Sequence, residues 1–176
     1  MWNDIAHVMR YSERAIPIDS AEGLPELLSD KIRTLDLPPP LIVESGTSVR
    51  DVIKTVQRRS AGCVLVEQDG RMIGIMTERD VLMKVVARDV DYDDPVDNFM
   101  TKDPFSLTPD DTIGEAITLM DREGFRNVPI IEAGSGKPIA IFRIQDVVNY
   151  LAEAFPEQVL NLPPRPHQLL KTPEGA

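Results

Sequence analysis

Cysteine is nearly absent: Cys63 is the one thiol in 176 residues, so no internal disulfide can form. It stands in the apolar run Gly62 to Val66 with neither His nor Lys beside it, and reads as a small buried hydrophobe, not a reactive thiol. The two histidines, His7 and His167, lie outside the repeated segments described below, which leaves no histidine pair for catalysis or metal binding. Long apolar runs are missing too; none approaches the roughly 18 residues of a membrane helix. The first residues, MWNDIAHVMRYSERA, carry charges and no apolar core, unlike a signal peptide. These absences predict a soluble, cytoplasmic protein with no membrane partner. Positive charge is also scarce, with 19 Lys and Arg against 29 Asp and Glu, a net charge of −10. That argues against nucleic acid as a main partner, because affinity for phosphate backbones comes from clustered Lys and Arg. An anionic ligand would need a local pocket. No G-x-x-x-x-G-K-[ST] loop occurs, and no nucleophile, base and orienter stand together, so the chain is not read as an enzyme.

What the chain does contain is a duplication. In GIMTERDVLMKVV, Gly74 to Val86, a short apolar run meets Thr77 and Asp80, after which Val81, Leu82, Val85 and Val86 recur at helical spacing. This predicts a buried strand running into a helix, with Thr77 at the N-cap and Asp80 three residues on, as in a capping box. From Ile139 the chain reads IAIFRIQDVVNYL, again strand into helix, with Asp146 at the place of Asp80. Arg143 stands where Thr77 stood, and arginine cannot cap. A capping motif alone has no functional meaning; its aspartate kept in a second copy points to a ligand site.

In order, residues 1–34 form an N-terminal extension, partly helical, in which PELLSDKIRTL would place Leu27, Leu28, Ile32 and Leu35 on one helix face. Residues 35–90 make the first unit. Leu41 to Val43 is extended, Ser48 caps a helix with stripe Val49, Val52, Ile53 and Val56, and Asp69-Gly70 turns strand Cys63 to Val66 into strand Met72 to Met76. The second unit, 91–155, opens on DVDYDDPVDNF, whose five aspartates read as a solvated linker; its spacing matches no calcium loop. Its helix stripe, Ile113, Ala116, Ile117 and Met120, and its strand, Val128 to Ile131, repeat the first unit at an offset of 64. The loop Glu132 to Pro138 is two residues longer than its counterpart, so the offset from Asp80 to Asp146 is 66. Residues 156–176 are a proline-rich tail.

Both units resemble CBS domains, and the pair looks like a tandem CBS (Bateman) module over 38–155. The resemblance rests on SVRDVIKTVQRRSAGCVLVEQDGRMIGIMTERDVL in the first copy, and on MTKDPFSLTPDDTIGEAITLMDREGFRNVPIIE with IAIFRIQDVVNYL in the second. Gly74, Thr77 and Asp80 meet the G-x-x-T-x-x-D signature; in the second copy Ala140 and Arg143 depart from it. The resemblance implies an α/β fold, two βαββα-type repeats packed about a pseudo-twofold axis, and pairing into a homodimer. It also implies adenosine ligands (AMP, ADP, ATP, S-adenosylmethionine or NADH), with magnesium only if carried by ATP.

Asp80 and Asp146 suit ribose hydroxyls, while Thr77 and first-turn amides suit a phosphate. Arg79, Lys102, Arg126 and Arg143 are candidate phosphate cations; a solvated surface charge is an equal reading for Arg79 and Arg143 and the favoured one for Lys102 and Arg126. The resemblance puts the adenine slots near Val64 and Val66 in one cleft, and near Val128 and Ile130 in the other. With Thr77 in one copy and Arg143 in the other, two unequal clefts are expected. The expected function is a stand-alone regulatory module relaying metabolite status to a separate, unknown protein. The alternative is a ligand-free dimer serving as a scaffold.

Overall fold

The structure, a computed structural model, describes residues 24–59, 61–88 and 90–154. The described residues up to Ile144 belong to one compact unit and 145–154 to a second. The expectations for 1–23, His7, His167 and the proline-rich tail fall outside the described residues.

In the first unit, helix α1 (Leu24–Ser29) and a 3-10 turn (Ile32–Thr34) precede strand β1 (Ile42–Glu44) and helix α2 (Val49–Arg59). Strands β2 (Cys63–Gln68) and β3 (Arg71–Thr77) then form a hairpin. Asp69 (φ 52°) and Gly70 (φ 77°) are both left-handed, as a two-residue turn matched to strand twist requires. Helix α3 starts at Glu78–Asp80 and continues as a π turn over Val81–Val85 and a 3-10 turn over Val86–Arg88. A short strand β4 (Thr101–Lys102), helix α4 (Ile113–Glu123) and the hairpin β5 (Asn127–Ile131) and β6 (Pro138–Arg143) follow. Helix α5 (Ile144–Ala154) lies in the second unit but for its first residue.

The duplication extends to individual hydrogen bonds. Val43 pairs in parallel with Val66, and Leu107 pairs in parallel with Ile130, so both members of the pair recur at the same offset. Both hairpins carry a bulge at the same place, between Val66 and Glu67 and between Ile130 and Ile131. Ser48 at the start of α2 bridges Pro95, and Thr112 at the start of α4 bridges Lys31. Val49 N donates to Asp94 O and Ile113 N to Asp30 O, both at 2.9 Å. The segment leading into each repeat is therefore docked on the first helix of the other.

This exchange alters three readings of the sequence. Residues 30–34 take part in the repeat pattern. PELLSDKIRTL is not one helix: Lys31 is extended, because it pairs with Thr112, and Ile32 is buried. The acidic stretch after Asp89 is no mere solvated linker either, since Val96 is fully buried and Asp97 accepts from Ser45 Oγ and Gly46 N.

Two hydrophobic surfaces hold the first sheet. Val64, Val66 and Met76 pack with Val49, Val52, Val85, Val96 and Met100, while Cys63, Leu65 and Ile75 pack with Ile141 of the second sheet. The strand alternation thus sends one set under the helices and the other to the sheet-on-sheet contact. On α3, Val85 is buried and Val81 packs on the core, but Leu82 and Val86 are exposed, so only half of the predicted stripe faces inward.

The sheets are unequal. β4 pairs with β3 (Gly74 with Lys102, Ile75 with Thr101), and Asp103 N donates to Ile73 O, giving the order β1-β2-β3-β4. The equivalent positions in the segment leading into the first repeat are Leu37, Pro38 and Pro39, and prolines have no N–H to donate. The second sheet keeps two strands, β5-β6.

Two glycines mark close approaches. A Cβ at Gly114 would stand 2.9 Å from Leu28 O, where α1 crosses α4, and one at Gly74 would stand 2.2 Å from Met100 Sδ. Because Met100 is buried, Gly74→Ala should destabilise the protein by about 1–3 kcal/mol through overpacking. In urea unfolding, Gly74→Ala combined with Met100→Ala should cost less than the sum of the two single changes, because the two sites are coupled by contact.

Candidate functional site

The junction of β3 and α3 is built around one carboxylate. β3 delivers Thr77 in extended conformation (φ −101°, ψ 165°), from which the helix turns away. Thr77 Oγ1 accepts from Asp80 N at 3.2 Å; Thr77 N and Oγ1 donate to Asp80 Oδ2 at 2.9 and 2.6 Å. The capping box read from TERD is therefore fully formed. The other oxygen, Asp80 Oδ1, takes Lys84 Nζ at 2.8 Å, and the same ammonium donates to Thr101 Oγ1 on β4 at 3.3 Å.

Asp80 is largely shielded, its side chain 16% exposed against 31% for Lys84. Burial pushes its carboxyl upward, but hydrogen bonds from Lys84 and Thr77 and the Lys84 charge outweigh that and hold it below the ordinary aspartate value.

Across the sheet contact, the strand starts of the two repeats meet. Glu78 N donates to Gly62 O at 3.2 Å and Ile144 N to Arg126 O at 3.0 Å, the same bond in both repeats. Thr77 pairs with Cys63, and Arg143 pairs with Asn127. A Cβ at Gly62 would lie 4.0 Å from Asn127 Oδ1. The Cys63 thiol is pushed up to about 11, chiefly by burial, with the Arg143 charge lowering it and Glu78 raising it. Arg143 is thus within electrostatic reach of the strand that carries Thr77's partner, and Cys63 is protonated and unreactive at neutral pH.

The remaining candidates are placed as follows. Arg79 and Arg126 are exposed, and Lys102 is exposed on β4 opposite Gly74. Val64 and Val128 are fully buried. Val64 and Val66 fill the core under the helices, so their side chains do not line the face toward the other sheet; Leu65, Ile75 and Ile141 do. Asp146 lies in α5, in the second unit.

Sequence reading missed Lys84, although its i+4 spacing from Asp80 on a helix is a legible ion-pair signal. It also missed Thr112, which forms a second capping box with Glu115, and the exposed Phe105–Phe125 ring pair, 6.2 Å between centroids with Arg122 over Phe105. Those rings come together only through the fold. Among the described residues no helix is long and apolar enough to cross a membrane.

A family model for the CBS domain matches residues 32–87 and 96–153, and the chain belongs to the CBS-domain family. Both matches begin inside the exchanged segments. An uncharacterized 17.7 kDa protein of Acidianus ambivalens is 32% identical over 113 residues, 64% of this chain and 67% of that one. The A-adding tRNA nucleotidyltransferase of Aquifex aeolicus is 27% identical over 126 residues, which span 66% of this chain but 15% of the enzyme.

Among solved structures, a CBS domain protein from Pyrobaculum aerophilum complexed with AMP is 22% identical, with a TM-score of 0.64 over 70% of this chain and 97% of its own. The CBS domain pair of protein MJ0100, in complex with 5′-methylthioadenosine and S-adenosyl-L-methionine, is 16% identical, with a TM-score of 0.64 over 71% and 98%. At these identities the likeness is one of fold: tandem CBS repeats of mixed α/β type.

Because the folded Asp80 carboxyl is lowered, its contribution to stability is complete above the ordinary value of about 3.9 and disappears as pH falls through the folded value. Thr77→Ala should cost about 1 kcal/mol at neutral pH. Asp80→Asn should flatten the acid limb of stability against pH, as read by thermal unfolding between neutral and strongly acidic buffers.

Proposed function

We propose that this chain is a regulatory module that binds an adenosine-containing ligand at the junction where β3 enters α3, and relays the occupancy to a separate protein. The observation that carries this is the Thr77–Asp80 carboxylate site at the end of β3, facing a sheet contact to which the second repeat brings Arg143. Asp80 offers a partly shielded acceptor for ribose hydroxyls, and Arg143, Arg126 and Lys102 are candidate cations for a phosphate. AMP in one fold relative, and methylthioadenosine with S-adenosylmethionine in another, support this class of ligand. The role is binding, not turnover. Occupancy acts by favouring whichever packing of the repeats binds the ligand more tightly.

Calorimetric titration of AMP, ADP, ATP, S-adenosylmethionine and NADH tests this. At least one should bind, raise stability by about 2.7 kcal/mol at a hundredfold excess over its dissociation constant, and lose affinity in Asp80→Ala. No binding by any of them, with the fold intact, overturns the reading and leaves a scaffold.

The module is also proposed to work as a homodimer. Leu82, Met83 and Val86, exposed by 59%, 57% and 54% on one helical segment, support a covered apolar face. Light scattering should give twice the chain mass for the parent and a monomer for Leu82→Asp; a monomeric parent would discard the dimer.

A further inference from the structure

The Asp80 carboxylate is already engaged on both oxygens. Oδ2 accepts two hydrogen bonds from Thr77, which are the helix cap itself, and Oδ1 accepts from Lys84. A carboxylate has about four acceptor positions, so a ribose diol, which presents two donors side by side, has to take Oδ1 and compete there with Lys84. Displacing the Thr77 bonds instead would undo the cap.

The ammonium cannot simply be dropped. Lys84 sits at 31% exposure on the partly buried side of the helix, and its other hydrogen bond goes to the neutral hydroxyl of Thr101. Once a diol takes its carboxylate, Lys84 has lost its one counter-ion and needs another. A phosphate on the same nucleoside supplies it within the span of a flexible four-carbon side chain. A neutral nucleoside such as adenosine or 5′-methylthioadenosine supplies none.

Resting on the reading of this junction as an adenosine site, we infer that Lys84 is its specificity-determining residue: it yields Asp80 to ribose only when the ligand carries an anion, selecting adenosine phosphates over neutral nucleosides. The position has no like counterpart in the second repeat, where Tyr150 stands at the equivalent place. The selection therefore belongs to the first repeat's site.

The test titrates AMP, adenosine and 5′-methylthioadenosine into the full-length parent, Lys84→Met and Lys84→Arg. Circular dichroism and thermal unfolding confirm that each variant is folded. The parent should bind AMP more tightly than either neutral nucleoside by about tenfold or more, the size of one charged hydrogen bond. Lys84→Met should erase most of that ratio, by weakening AMP and strengthening methylthioadenosine, while Lys84→Arg keeps it.

An unchanged ratio in Lys84→Met, or a parent that binds methylthioadenosine as tightly as AMP, overturns the inference and leaves the adenosine site standing. Failure of all three ligands to bind parent and variants alike overturns the adenosine reading, and this inference with it.

Discussion

Each repeat completes the start of the other's first helix, and the arrangement of the first unit depends on that exchange. The opening amides of an α-helix have no partner within the helix. Here Val49 N finds Asp94 O and Ile113 N finds Asp30 O, while Val96 N and Ile32 N return to Thr47 O and Asp111 O. The two junctions are then tied by different chemistry at equivalent places. Asp97 accepts from Ser45 and Gly46 in one, and Arg33 pairs with Asp110 in the other. Neither repeat can satisfy these groups from its own segment, so the duplicated halves are bound into one unit by backbone hydrogen bonds as well as by the apolar contact of Leu65 and Ile75 with Ile141.

The same economy appears at the β3–α3 junction, where one carboxylate serves the fold and the candidate site together. Asp80 closes the cap through Oδ2 and holds Lys84 through Oδ1, and Lys84 reaches on to Thr101 of β4, a strand supplied by the segment leading into the second repeat. Asp80 is therefore linked through Lys84 to the connection between the repeats. Under the proposed function, capping and ligand recognition are compatible readings of TERD, because Asp80 Oδ1 lies outside the cap.

Asymmetry between the copies follows from single substitutions in an otherwise repeated pattern. Two prolines, Pro38 and Pro39, deny the second sheet the strand that β4 adds to the first. Pro138 stands where Met72, whose N–H donates to Gly136 O, stands in the first copy. Arg143 in place of Thr77 replaces a helix cap with a cation whose charge reaches Cys63. The pseudo-symmetric frame persists because strand pairing and bulges depend on backbone register, which these changes leave intact.

The chain's local order was legible from residues alone: the duplication and its offsets, both hairpin strands, the left-handed Asp69-Gly70 turn, the capping role of Thr77 and Asp80, and the burial of Cys63. Each is encoded in neighbours a few positions apart, through periodicity, turn chemistry or i+3 spacing. The tertiary structure alone decided what spans the repeats. It placed Val96 in the core, split PELLSDKIRTL at Lys31 so that it could pair with Thr112, turned Leu82 and Val86 outward, buried Val64 under the helices, and brought Phe105 to Phe125. Those outcomes depend on which distant backbone donates to which, and on which face of a strand or helix meets another element. A run of residues carries no sign of either until the two repeats are packed together.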